Sequence, residues 1–107
     1  MKQILFYTTL SGKVPFQQWL DGIKQKPLIT KIANRIHLLA EGFMPDIDSV
    51  GSGVLETRIH TRGGIRIYFY PAKDALIILL CGGNKATQKK DIAKAIEYAN
   101  DFRGRYE

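Results

Sequence analysis

The chain has one cysteine, Cys81, among its 107 residues, so no internal disulfide can form. A lone thiol points to a reducing compartment. Histidine is nearly as scarce: His37 and His60 stand far from each other and from Cys81, a spacing that offers no metal ligand set. The aliphatic run at 75–81 is far too short to span a bilayer. Met1–Phe6 is likewise too short for a secretory leader and lacks a small-residue cleavage site. Repeats, low-complexity tracts and linkers are missing as well. The expectation is a cytoplasmic protein without cofactor, metal or membrane attachment, folded as one domain over residues 1–107.

What is present is an ordinary globular composition, 45% hydrophobic and 24% charged, which argues against disorder. A chain of this length hides roughly 65% of its unfolded surface on folding, enough for a core without staples. Its charge is less ordinary. Sixteen Lys and Arg against ten Asp and Glu give +6. Such a basic domain suits a polyanionic partner, most often nucleic acid, although excess charge also simply keeps small proteins soluble.

Residues 2–8 are β-prone and read as a first strand. Pro15 opens a helix in which Phe16, Trp19, Leu20 and Ile23 recur at helical spacing. Pro27 starts a second helix striped by Ile29, Ile32, Ala33, Ile36 and Ala40, ended by Gly42. The two form an antiparallel hairpin with Lys24, Lys26, Lys31 and Arg35 near solvent. Beyond Pro45 the period becomes two: strands are expected at 54–60 and 65–70, with a turn at Arg62-Gly63-Gly64. Pro71–Asp74 reads as another turn, and 75–81 as a central strand buried on both faces. Thr87 then caps a last helix striped by Ile92, Ala95, Ile96, Ala99 and Phe102. The order is β-α-α-β-β-β-α, with a three-stranded antiparallel meander.

Alternation places Glu56, Arg58 and His60 on one face of the first meander strand, and Arg66, Tyr68 and Tyr70 on the matching face of the second. Hairpin pairing would gather these side chains on one sheet surface, with guanidinium groups for phosphate and rings for base stacking. The competing reading is a merely solvated polar face. Glu56 reads as a surface ion-pair partner for Arg58, His60 as a strand-end residue and His37 as structural. Gly82-Gly83-Asn84-Lys85-Ala86-Thr87 lacks the glycines of a nucleotide-binding loop, which excludes an NTPase. It does set Lys85 beside a helix N-terminus, where an anion is favoured.

The strings "VLETRIHTRGGIRIYFY" and "GGNKATQKKDIAKA", with "FQQWLDGI" nearer the start, resemble the RelE/ParE superfamily of bacterial toxins over nearly the whole chain. Within it, the chain is most similar to the addiction-module killer group, described as HigB-like or phage-derived. The resemblance implies an α+β fold: a two-helix hairpin and a C-terminal helix, with helices packed on one face of a small, mostly antiparallel sheet. It implies the toxin of a type II toxin–antitoxin system, whose partners are a cognate antitoxin, expected to be a helix-turn-helix protein, and the ribosome with its mRNA. The implied activity is a metal-independent mRNA endonuclease, an mRNA interferase that moves a 2′-hydroxyl onto the adjacent phosphate. The matching catalytic positions are Arg58, Arg66 and Lys85, with Tyr68 stacking or assisting proton transfer, and the RNA-binding set adds His60 and Tyr70. One departure stands out. The early last helix, Thr87 to Asp91, offers no ring as acid or base, which leaves Tyr68, His60 and Tyr106 as the candidates. Two other readings remain open: a ParE-like DNA gyrase inhibitor acting by protein contact without nuclease activity, and a non-catalytic RNA-binding module.

Overall fold

A computed structural model describes residues 1–107. Strand β1 (Gln3–Phe6) leads into helices α1 (Pro15–Asp21) and α2 (Lys26–Ala40). Four strands follow: β2 (Ile47–Gly51), β3 (Val54–Ile59), β4 (Ile65–Lys73) and β5 (Leu76–Gly83). A 3-10 turn (Lys85–Thr87) then opens the long helix α3 (Gln88–Tyr106). The sheet runs β1-β5-β4-β3-β2, antiparallel except for the parallel pairing of β1 with β5. This is an α+β fold, as expected. No helix is long and apolar enough to cross a membrane.

Local chemistry sets the helix ends. Pro15 and Pro27 occupy first-turn positions, where a missing N–H costs nothing. Helix α2 ends in a Schellman closure: Gly42, at φ +93°, donates to Leu39 while Phe43 donates to Leu38. Before α3, Asn84 and Thr87 cap each other's backbone reciprocally, through Asn84 Oδ1 and Thr87 Oγ1. Asn84 thus caps the 3-10 turn, while Thr87 stands at the N-cap position of α3, as its sequence position suggested, without a side-chain capping bond to that helix.

Two apolar layers sandwich the sheet. On one face Phe16, Ile32, Leu39, Ile67, Phe69, Ile77 and Leu79 bury against α1 and α2. On the other, Val54, Tyr68, Ile78, Leu80, Ala95 and Ala99 bury under α3. Each fully buried Leu, Ile or Phe contributes roughly 1.5–3 kcal/mol relative to an exposed one. The helices thus cover both faces rather than one. The α3 stripe of Ile92, Ala95, Ile96, Ala99 and Phe102 packs as its spacing implied. In α2, however, Ile29 and Ala33 face outward, and Leu39 takes a place in the core.

Three further differences have local causes. Strand β2 was not expected, because Asp48, Ser49 and Gly51 are poor strand formers; it forms as an exposed edge by pairing with β3. Strand β4 runs on through Pro71, which pairs with Ile77 beside a register shift, beyond the last pairing of β4 with β3. Arg35 is not a solvent residue: its guanidinium donates to Thr57 Oγ1 at 2.7 Å and to the Arg58 carbonyl at 2.8 Å.

The end of β5 explains the paired glycines. A side chain at Gly82 would strike the ring of Trp19 from α1, and one at Gly83 would strike the Asp91 carboxylate of α3. Only a strand end without side chains lets both layers close so tightly, and that closure places the turn carrying Lys85.

Candidate functional site

The sheet face that carries Arg58 and Arg66 is not an open, aromatic-lined surface. Helix α3 lies across most of it and leaves one end uncovered. There a broad cleft is lined by Arg58, Thr61, Gly64, Arg66, Asn84, Lys85 and Gln88, among nine residues. Three cations expected from the sequence therefore line one cleft.

Register brings the arginines together: Arg58 and Arg66 are directly opposed on β3 and β4. The β3–β4 loop supplies the rim. Gly64 has φ +69°, which favours glycine, and a Cβ there would lie 2.9 Å from Arg66 Nη1 and displace that guanidinium. The Gly64 carbonyl accepts from Arg66 Nη1 at 2.7 Å. Lys85 joins through its backbone, donating to the Gly63 carbonyl at 2.9 Å. The three cations differ in setting. Lys85 is exposed, Arg58 is half-buried, and Arg66 is only 4% exposed.

Beneath them lies a polar cluster that sequence reasoning missed. Glu56, expected as a surface residue, is 1% exposed. Its Oε1 lies 3.7 Å from Arg58 Nη2, and its Oε2 lies 3.9 Å from Arg66 Nε and accepts from Gln88 Nε2 at 3.0 Å. Gln88 carried no signal as a site residue; its position in the first turn of α3 was the only available hint. Three buried atoms of this cluster have no hydrogen-bond partner: Arg58 Nε, Arg66 Nε and Tyr68 Oη. No group of three His, Cys, Asp or Glu gathers as a metal ion would need.

The aromatic candidates lie elsewhere. Tyr68, expected to stack or to move a proton, is wholly buried under α3. Burial and the charge of Glu56 push its pKa far above the usual tyrosine range, so it stays neutral and out of reach. Tyr70 sits four positions further along β4, roughly 13 Å from Arg66. It is buried, with its hydroxyl donating to the Glu107 carboxylate and Arg103 over its ring at 4.8 Å. His60 is exposed and faces Asp46 at 3.5 Å in a separate hollow that shares only Arg58 with the cleft. Tyr106 closes the other end of α3, roughly 28 Å from its first turn. None of the proposed acid–base side chains lines the cleft.

Chemically, such an arrangement suits an anion. Two planar forks and a flexible ammonium, offset by buried Glu56 and by exposed Asp48 at 3.9 Å from Arg58 Nη2, leave an excess of positive charge at a solvent-facing recess. Helix α3 begins beside it, and the dipole adds to the same sign.

Comparison with known proteins agrees in extent. The family described as "Phage derived protein Gp49-like (DUF891)" matches residues 18–102. An uncharacterized protein of Haemophilus influenzae (strain ATCC 51907 / DSM 11121 / KW20 / Rd) is 44% identical over 80 residues, which cover 75% of this chain and 81% of that protein.

Proposed function

The chain belongs to the phage-derived Gp49-like family, a RelE/ParE-like toxin family, and on that premise we propose that it is the toxin of a type II toxin–antitoxin pair acting as a ribosome-dependent mRNA endonuclease of the HigB-like kind. The observation that carries this reading is the meeting of Arg58, Arg66 and Lys85 in one cleft beside a helix start.

In the proposed reaction the 2′-oxygen of the substrate ribose attacks the adjacent phosphorus. The P–O5′ bond breaks, giving a 2′,3′-cyclic phosphate and a 5′-hydroxyl. The proton of the 2′-hydroxyl leaves to water, and the departing O5′ takes one from water. Negative charge grows on the non-bridging oxygens, and the three cations stabilise it there. Removing one well-placed donor from such a site typically costs about 2.7–4 kcal/mol of barrier. The open recess supplies charge but little to orient free RNA, so the ribosome is assigned the task of presenting the strand. An antitoxin neutralises the activity.

A second reading, inhibition of DNA gyrase by protein contact, draws support from one observation: Tyr68, His60 and Tyr106 all lie outside the cleft. Sequencing of mRNA 5′ ends after brief expression of the chain alone separates the two. Codon-phased cuts are expected from the nuclease. Intact mRNA with DNA breaks and an SOS response would refute it in favour of the gyrase inhibitor.

A further inference from the structure

Arg58 and Arg66 are direct cross-strand partners, and like charges so placed repel. Left to themselves, two guanidinium groups would splay apart. The two oxygens of Glu56 face different arginines, Oε1 towards Arg58 and Oε2 towards Arg66. This carboxylate is buried, so a ligand in the cleft meets the arginines rather than Glu56. Gln88 donates to the same Oε2 from the first turn of α3.

We infer that Glu56 is a positioning residue, one buried charge that sets both guanidinium groups at a fixed separation, and that Gln88 couples this alignment to the docking of α3. The inference rests on the reading of the cleft as a phosphodiester site. Glu56 does more here than offset charge, and the two roles differ in sign. Removing a negative charge from beside the arginines strengthens their pull on any anion. Loss of alignment instead slows a step in which charge must develop at one fixed point. Affinity and rate therefore move apart.

The test uses the full chain as Glu56→Gln, nearly isosteric but uncharged, and as Gln88→Ala, which leaves every charge in place. Inorganic phosphate is titrated while the Nε–H resonances of Arg58 and Arg66 are followed. Single-turnover cleavage of ribosome-bound mRNA is measured across pH. For Glu56→Gln, phosphate should bind at least as tightly as to the parent protein, while the two arginine signals shift and broaden. Cleavage should fall roughly 10- to 100-fold, the range in which residues supporting a site from behind usually act, with the pH profile unchanged in shape. Gln88→Ala should move the same signals and lower the rate by about tenfold; should Glu56→Gln fail to fold, this variant decides. Unmoved arginine signals in a folded variant overturn the inference. So does a lost limb of the pH profile in Glu56→Gln, which would make the carboxylate a proton acceptor. A parent protein that cleaves nothing refutes the nuclease reading alone, because the arginine signals still report on alignment.

Discussion

Replacing Arg66 by alanine should damage the fold as well as the site. The Arg66 and Glu56 side chains are 5% and 2% exposed, and they approach to 3.9 Å. Removing one member of a buried pair costs about 3–5 kcal/mol, because the other charge is left uncompensated. Here Glu56 retains Arg58 at 3.7 Å and the Gln88 amide at 3.0 Å, which argues for the lower end, about 3 kcal/mol. Total stability for a domain of this size is roughly 5–15 kcal/mol, so the variant folds with a much reduced margin. At roughly 4–8 °C per kcal/mol, its melting point should drop by about 12–24 °C. Urea titration followed by circular dichroism measures the free energy directly. The double variant Arg66→Ala/Glu56→Gln should recover part of the loss, with a coupling of roughly 1–3 kcal/mol. An Arg66→Ala protein within about 0.5 kcal/mol of the parent would refute the reasoning, and Arg66 would then be a cleft residue with no structural duty.

Lys85 is the contrasting case. It is exposed, so Lys85→Ala should change stability by no more than about 0.5 kcal/mol while cutting single-turnover mRNA cleavage roughly 100- to 1000-fold; a rate within a few-fold of the parent would make this lysine a solvating charge. Gly82→Ala should cost about 1–3 kcal/mol in the same urea titration, since its methyl meets the Trp19 ring, and pairing it with Trp19→Leu should restore most of that. Tyr7 is held neutral by burial and by the hydrogen bond it gives Asp101, with its pKa pushed up to about 12 from 10.0. Its contribution to stability is therefore fully present below pH 10 and lost as pH rises towards 12. Tyr7→Phe should flatten that decline in urea midpoints measured across the same window; an unchanged slope would contradict the assignment.

Much of this fold was legible because its strongest elements obey clean periods. Phe16, Trp19 and Leu20 pack as their helical spacing requires, Ile23 joins the same layer from beyond the end of α1, and alternation put Arg58 and Arg66 on the same sheet face. Alternation could not say what lies above that face. A strand reading Glu-Thr-Arg-Ile beside one reading Arg-Ile-Tyr-Phe looks half-solvated, yet α3 covers it and turns Glu56 and Tyr68 into interior residues. Burial of Glu56 depends on partners drawn from three segments, Arg58, Arg66 and Gln88, and no local pattern encodes such a meeting. The glycines at 82 and 83 fell beyond the expected strand 75–81, in the segment leading to Lys85, whereas they end β5. Their true cause is the pressure of Trp19 and Asp91 from opposite sides, a fact of packing that no single segment carries. Edge strand β2 escaped notice for the opposite reason, since its stability comes from pairing rather than from its own residues.

The parallel pairing of β1 with β5 joins Gln3 to Leu76, two segments made far apart in time. At roughly 5–20 residues per second, β1 emerges about 4–15 s before its partner exists. The β3–β4 hairpin, complete at Lys73, precedes the end of β5 at Gly83 by ten residues, roughly 0.5–2 s of synthesis, in which it can form many times over, in microseconds each. The arginine pair can therefore assemble early, whereas the β5 end and the turn bearing Lys85 arrive afterwards. Until β1 docks, the apolar strand Leu76–Gly83 has one edge unsatisfied, the kind of template on which growing chains stick to one another. Translation order thus separates two events in the life of this molecule: the early gathering of two charges, and the late closure that completes the cleft and seals the sheet.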